Sequence, residues 1–196
     1  TPGFTARLDV AGKEVLRTDV SWRCSRNTEY RPSPSAWSSI PDVIDGRLNA
    51  GDWTALGFDD TSWEHATTVD GGKWGALQSR DVPLPRETTL AGMKLLPSGQ
   101  ALTSVLPLEL STGKDVVVNL GRMAMAYAVV DIEAEEGSVL QIQYALRNVN
   151  GKPAETYGVG TTYTARGGRQ CFIAGDQWCS HYMTVKCASG RVTIHE

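Results

Sequence analysis

Histidine is scarce in this 196-residue chain, represented only by His65, His181 and His195. Phenylalanine is as rare, and cysteine is limited to Cys24, Cys171, Cys179 and Cys187. With no Gly-x-Ser-x-Gly elbow and so few histidines, serine-hydrolase chemistry has no support. No CxxC pair or histidine stands at zinc-finger spacing, so the cysteines give no structural zinc site. A cysteine nucleophile needs a partner base, and His181 is the one histidine near a cysteine. Gly158, Gly160, Gly167 and Gly168 sit in turn-like surroundings without a following helix or Gly-Lys-Ser/Thr, which leaves no phosphate cradle. Charge of one sign is also missing. Nineteen Lys and Arg stand against 22 Asp and Glu, a net −3 with no basic block, so no electrostatic footprint for nucleic acid exists. No apolar stretch approaches the roughly 20 residues of a membrane span. No window of twelve or more residues keeps a 3.6 period, and long helices are therefore not expected. The first residues lack Met and a signal-peptide pattern, and read as a piece of a longer protein.

Period-two alternation fills the space these absences leave. Ala6, Leu8 and Val10 alternate with Arg7 and Asp9, then Ala11-Gly12-Lys13 turns the chain into Val15-Leu16, which predicts a hairpin. Ala128, Val130 and Ile132 alternate with Val129, Asp131 and Glu133. Leu140, Ile142, Tyr144 and Leu146 alternate with Gln141, Gln143 and Ala145, the clearest strand in the chain. Val116 and Val118, Thr161 to Ala165, Gln170 to Ala174, His181 to Cys187 and Arg191 to His195 read as further strands between Gly-rich turns. Asn148 to Pro153 reads as a loop. Thr89 to Leu96 reads as one short helical turn stopped by Pro97. The expected fold is all-β, an antiparallel β-sandwich with long Trp/Pro-rich loops. Leu140, Ile142, Tyr144, Val130, Ile132, Met183 and Val185 are its expected core.

Residues 25–100 hold most of the prolines and four of the six tryptophans. They read as a loop-rich insertion, with regular strands from about 101 to 196, in one domain spanning 1–196. Loops on a rigid sheet scaffold are where binding groups sit. Asp42, Asp45, Asp52, Asp59 and Asp60 fall in this stretch, and oxygen-rich loops can hold calcium. Asp42 and Asp45 are the candidate metal ligands, whereas Asp59 and Asp60 suit turn caps. A sugar site needs a flat apolar platform and charged partners for hydroxyl groups. Asp45 and Arg47 can supply the charges, Trp53 and Trp74 the platform. The competing reading is that Asp45 and Arg47 pair with each other and brace the loop. Among the cysteines, three fully paired connectivities are possible, as is one disulfide with two free thiols. Cys187 shares its parity with Met183 and Val185 and reads as buried. Cys179 and His181 share a parity on one strand, a metal cue.

Two segments carry a resemblance. One comprises Thr18 to Arg23, Asp45-Gly46-Arg47, Trp53 and the Gly57-Phe58-Asp59-Asp60-Thr61-Ser62-Trp63 box. The other comprises Val117 to Arg122, Glu136-Gly137, Tyr144-Ala145, Asn150-Gly151, Tyr163 to Gly168 and His181 to Val185. In order and spacing they resemble the non-catalytic β-sandwich region of bacterial α-L-rhamnosidases, family 78 of the glycoside hydrolases. The resemblance implies a jelly-roll sandwich related to carbohydrate-binding module family 67, a calcium-assisted rhamnose binder whose neighbouring Asp-Asn pair falls on Asp45-Gly46. Gly46 cannot supply that pair's second side-chain oxygen, and Asn119 and Arg147 stand where the family often carries the carboxylates of Asp and Glu. It also implies a secreted or periplasmic location, a carbohydrate ligand, and the catalytic domain of a parent chain as partner. Glycoside hydrolysis needs two carboxylates flanking the scissile bond. No such pair is evident, and the chain alone is not expected to be an enzyme.

Overall fold

The computed structural model describes residues 3–31, 33, 41–69, 78, 80–90, 94–97, 106–149 and 152–196. Among them the secondary structure is β, apart from one 3-10 turn at Gly46–Leu48. In chain order the strands are β1 (Arg7–Val10), β2 (Lys13–Arg17), β3 (Arg23–Cys24), β4 (Asp42–Asp45), β5 (Glu64–His65), β6 (Lys94–Pro97) and β7 (Leu108–Ser111). They continue as β8 (Asp115–Ala126), β9 (Val129–Ala134), β10 (Val139–Val149), β11 (Lys152–Thr164), β12 (Gly168–Ile173), β13 (Trp178–Ser189) and β14 (Arg191–Ile194).

The chain divides into two compact units. The smaller is Thr1–Asn27 with Ala50–Glu87; the larger is Thr28–Asn49 with Thr88–Glu196. In the smaller unit β1 and β2 form the expected hairpin, with Leu8 opposite Leu16. Its turn places Ala11 and Gly12 at φ 52° and 79°, the paired left-handed geometry of a tight hairpin. One face carries the Arg7–Asp9, Arg7–Glu14 and Arg17–Glu14 ion pairs. β3 pairs with β5. The Phe58-to-Trp63 box is a turn: Asp59 Oδ1 accepts the Thr61 amide at 3.0 Å, and the Trp63 ring packs tilted on Phe58. The guanidinium of Arg23 donates to Thr61 O at 2.6 Å and ties β3 to the box.

The larger unit is the sandwich. Its six-stranded sheet runs β4-β11-β10-β13-β8-β6 and its four-stranded sheet β12-β9-β14-β7. All pairings are antiparallel except β4 with β11, which is parallel. Ile132, Val130, Leu110 and Val192 from the small sheet meet Ile142, Leu140, Tyr144 and Val185 from the large one in a common core. Six of the seven expected core residues are buried, and Met183 packs against the core partly covered. The reason is the strand's period of two, which commits every second residue to one face. On the outer face of the four-stranded sheet, Arg169 pairs with Asp131 and Arg191 with Glu109 across the strands, and His195 Nε2 lies 3.6 Å from a Glu133 carboxylate oxygen.

Three local expectations change. Leu146 is exposed, because the β10–β11 register shifts on either side of Ala145 and ends the alternation after Tyr144. Lys94–Pro97 is a strand rather than helix; it pairs on β8 alone among the described strands, where proline's missing N–H is tolerated. Asn148 and Pro153 are cross-strand partners, as are Val149 and Lys152, so these residues belong to strands where a loop is expected.

Candidate functional site

β4 leads directly into the 3-10 turn that carries the expected sugar-binding charges. Asp45 closes the strand and caps the turn. Its Oδ1 accepts from the Arg47 amide at 3.2 Å and from Arg47 Nε at 2.8 Å, while Oδ2 accepts from the terminal guanidinium nitrogen at 2.8 Å. A carboxylate offers about four acceptor positions, and Arg47 occupies three of them. The Asp45 side chain is 11% exposed and the Arg47 side chain 47%. Arg47's hydrogen bonds hold the Asp45 carboxyl below its ordinary value, against the opposing effect of burial. The two side chains therefore pair with each other across the turn.

Gly46 follows from what surrounds it. A Cβ there would overlap the Tyr163 hydroxyl and lie 2.7 Å from its ring carbon and 3.0 Å from Thr164 O. A side-chain oxygen at this position, as an Asp-Asn pair requires, has no room. Tyr163 is itself fixed: its hydroxyl donates to Gln170 Oε1 at 2.9 Å, and its ring stacks on Phe172 at 3.9 Å. Asn119 uses its side-chain oxygen to accept the Gly121 amide at 2.8 Å.

Asp42 lies at the other end of β4. Asp42 and Asp45 are three residues apart on one strand, and odd spacing directs them to opposite faces. They do not converge on one cation. Among the described residues, no group of three or more His, Cys, Asp or Glu is arranged to hold a metal ion. Asp42 and Asp45, set on opposite faces, do not fit a shared calcium site. Asp42 instead accepts from the Asp176 amide at 3.2 Å, with the Gly175 amide and the Thr161 hydroxyl as further donors. Burial raises its carboxyl above the ordinary range, ahead of the lowering by these donors. Tyr30 stands beside it, its phenol raised by burial and then by the charges of Asp42 and Glu29. A Cβ at Gly175 would come within 2.7 Å of the Tyr30 ring and 3.1 Å of Asp42 Oδ1. This clasp joins residues 134 positions apart. No local pattern in the sequence could have revealed it.

Trp53 is 63% exposed and belongs to the smaller unit. Its turn is capped by Asp52, whose Oδ1 accepts from the Thr54 hydroxyl at 2.6 Å. Trp74 lies outside the described residues. All four cysteines are free thiols, with Cys187 buried and the others exposed. A shallow groove of about 310 Å³ opens beside Glu133, Glu135, Arg191 and Thr193, and none of the expected site residues lines it. No described helix is long and apolar enough to cross a membrane.

The larger unit is thus an all-β sandwich whose expected sugar-binding charges are internally paired. No family model matches the chain, and no curated protein matches it. Among solved structures, the α-L-rhamnosidase from Dictyoglumus thermophilum is similar over 92% of this chain at 16% identity, with a TM-score of 0.59. The α-L-rhamnosidase from Aspergillus terreus is similar over 94% at 17% identity, with a TM-score of 0.58. That from Streptomyces avermitilis, complexed with L-rhamnose, is similar over 97% at 17% identity, with a TM-score of 0.52. The chain spans 20%, 21% and 18% of those three chains respectively. At these identities the likeness is one of fold.

Proposed function

We propose that this chain is a non-catalytic accessory region of a larger α-L-rhamnosidase-type glycoside hydrolase, and that it supports that polypeptide's catalytic domain. The likeness in fold supports kinship with such a polypeptide. The observation that carries the supporting role is the Asp45–Arg47 pair, whose hydrogen bonds are directed at each other instead of outward. This reading includes a secreted or periplasmic location for the polypeptide, which cell fractionation tests.

Binding of a rhamnose-containing glycan is the second reading, and the exposed indole of Trp53 favours it, since a bare aromatic face can stack on a sugar ring. Calorimetry with L-rhamnose, with and without a chelator, separates the two. The supporting role predicts no heat at millimolar sugar from the folded chain. Heat that disappears in Trp53→Ala would establish the sugar-binding reading in its place. Heat lost on adding chelator would restore calcium to the site. Turnover of an aryl rhamnoside by this chain alone would overturn the non-catalytic assignment.

A further inference from the structure

We propose that Cys179, Met125, Met123 and His181 form a binding site for a soft monovalent cation, copper(I), on the outer face of β8 and β13. The proposal is independent of the accessory role. In the β8–β13 ladder Cys179 is directly opposite Met125, and Ser180 is opposite Ala124. Ser180 is buried, so alternation turns Cys179 and Met125 outward together. Directly opposed residues have Cβ atoms about 4.5–5.5 Å apart. Met123 precedes Met125 by two residues and His181 follows Cys179 by two, and both fall in the stretch where one residue of β13 faces four of β8 between the Ser180–Ala124 and Tyr182–Asn119 pairs. The ladder breaks between Ser180 and Tyr182 and resumes with Tyr182 opposite Asn119. This bulge contains Met123 and His181, and bulges are where strands re-aim side chains. The imidazole of His181 stacks on Tyr182 at 4.5 Å and 19°, which fixes its plane.

Methionine ordinarily fills gaps in cores. Here Met123 is 58% exposed and Met125 63%, and Met125 stands opposite a free, exposed thiol. Thioether, thiolate and imidazole are the donors that soft copper(I) selects, and none of the four is the carboxylate that calcium or magnesium prefers. On binding, the Cys179 S–H bond breaks, its proton passes to solvent and a Cu–S bond forms. Copper remains monovalent, and its charge cancels that of the thiolate.

The test is an anaerobic titration of the reduced 196-residue chain against copper(I) held by a chromophoric chelator. The chain should withdraw one equivalent. Cys179→Ser and the double substitution Met123→Leu with Met125→Leu should each weaken binding by about tenfold or more. Cys24→Ser and Cys171→Ser, which remove the other exposed thiols, should leave it unchanged. The leucines preserve size and apolarity on an exposed face, and far-UV circular dichroism verifies each fold. The proposal is overturned if the parent withdraws no copper. It is equally overturned if the leucine variant binds as tightly as the parent, or if Cys24→Ser or Cys171→Ser weakens binding as much as Cys179→Ser.

Discussion

Ile142 and Gly46 show how differently single positions are constrained. Ile142 is 1% exposed in the core, and its truncation to Ala should cost about 2–5 kcal/mol in chemical denaturation. Gly46 tolerates no Cβ because the Tyr163 hydroxyl occupies the space. Gly46→Ala should destabilise by about 1–3 kcal/mol, the range for overpacking. Gly113 makes a useful contrast: a Cβ there meets nothing within 4 Å, but φ is +82°. Gly113→Ala should therefore cost about 1 kcal/mol from backbone strain alone. Relief of Gly46→Ala by Tyr163→Phe, with no such relief for Gly113→Ala, would separate the two causes. The carboxylates of β4 also have opposite pH signatures. Asp45 is lowered in the folded state, so its contribution is present above the ordinary value of 3.8 and lost as pH falls through the lowered one. Asp42 is raised, so the folded state holds its proton more tightly. Its contribution grows as pH falls through the raised value and is lost as pH rises through it. Stability profiles across acid pH should accordingly lose acid sensitivity in Asp45→Asn and gain it in Asp42→Asn.

At the scale of elements, β10 and β13 form the centre of the six-stranded sheet, each flanked by strands on both sides. β4 sits at its edge, added in parallel to β11. A four-residue edge strand has few ladder bonds of its own, and the Tyr30–Asp42–Gly175 clasp supplements them. Asp42→Ala removes an acceptor from the Asp176 and Gly175 amides and should cost about 1–3 kcal/mol. Hydrogen exchange should then quicken at Val43 and Ile44 before it quickens in β10. A change confined to β10 would show that β4 is held by something other than this clasp. The cysteines offer a second check at this scale. Under native conditions an alkylating agent should modify Cys24, Cys171 and Cys179, and reach Cys187 only on unfolding. The Cys187 Sγ points to the carbonyls of Ser189 and Gly190 at the β13–β14 turn, and burial raises its thiol.

Across the molecule, every buried hydrophobic side chain among the described residues belongs to the larger unit. A two-stranded hairpin such as β1–β2 has marginal stability on its own. Amides of β1 and β2 should therefore exchange much faster than those of β10 and β13, measured by mass spectrometry of peptic fragments. Equal protection in both units would contradict a stability carried by the sandwich core.

The sequence by itself determined the fold class and most of the core. Alternation through Val130-Ile132 and Leu140-Ile142-Tyr144 is a local property, and a strand's two faces follow from it without knowledge of its partners. The β1–β2 hairpin and the Asp59 cap were legible for the same reason, because their contacts join near neighbours. Only the tertiary structure decided where the alternation stops, at the register shift beside Ala145, since register belongs to two strands together. It decided that Lys94–Pro97 pairs with β8, and that residues 1–27 and 50–87 form a unit of their own. It also decided the candidate site. Whether Asp45 and Arg47 reach outward or toward each other depends on the backbone of the turn, where Tyr163, 117 positions from Gly46, leaves no room for a side chain.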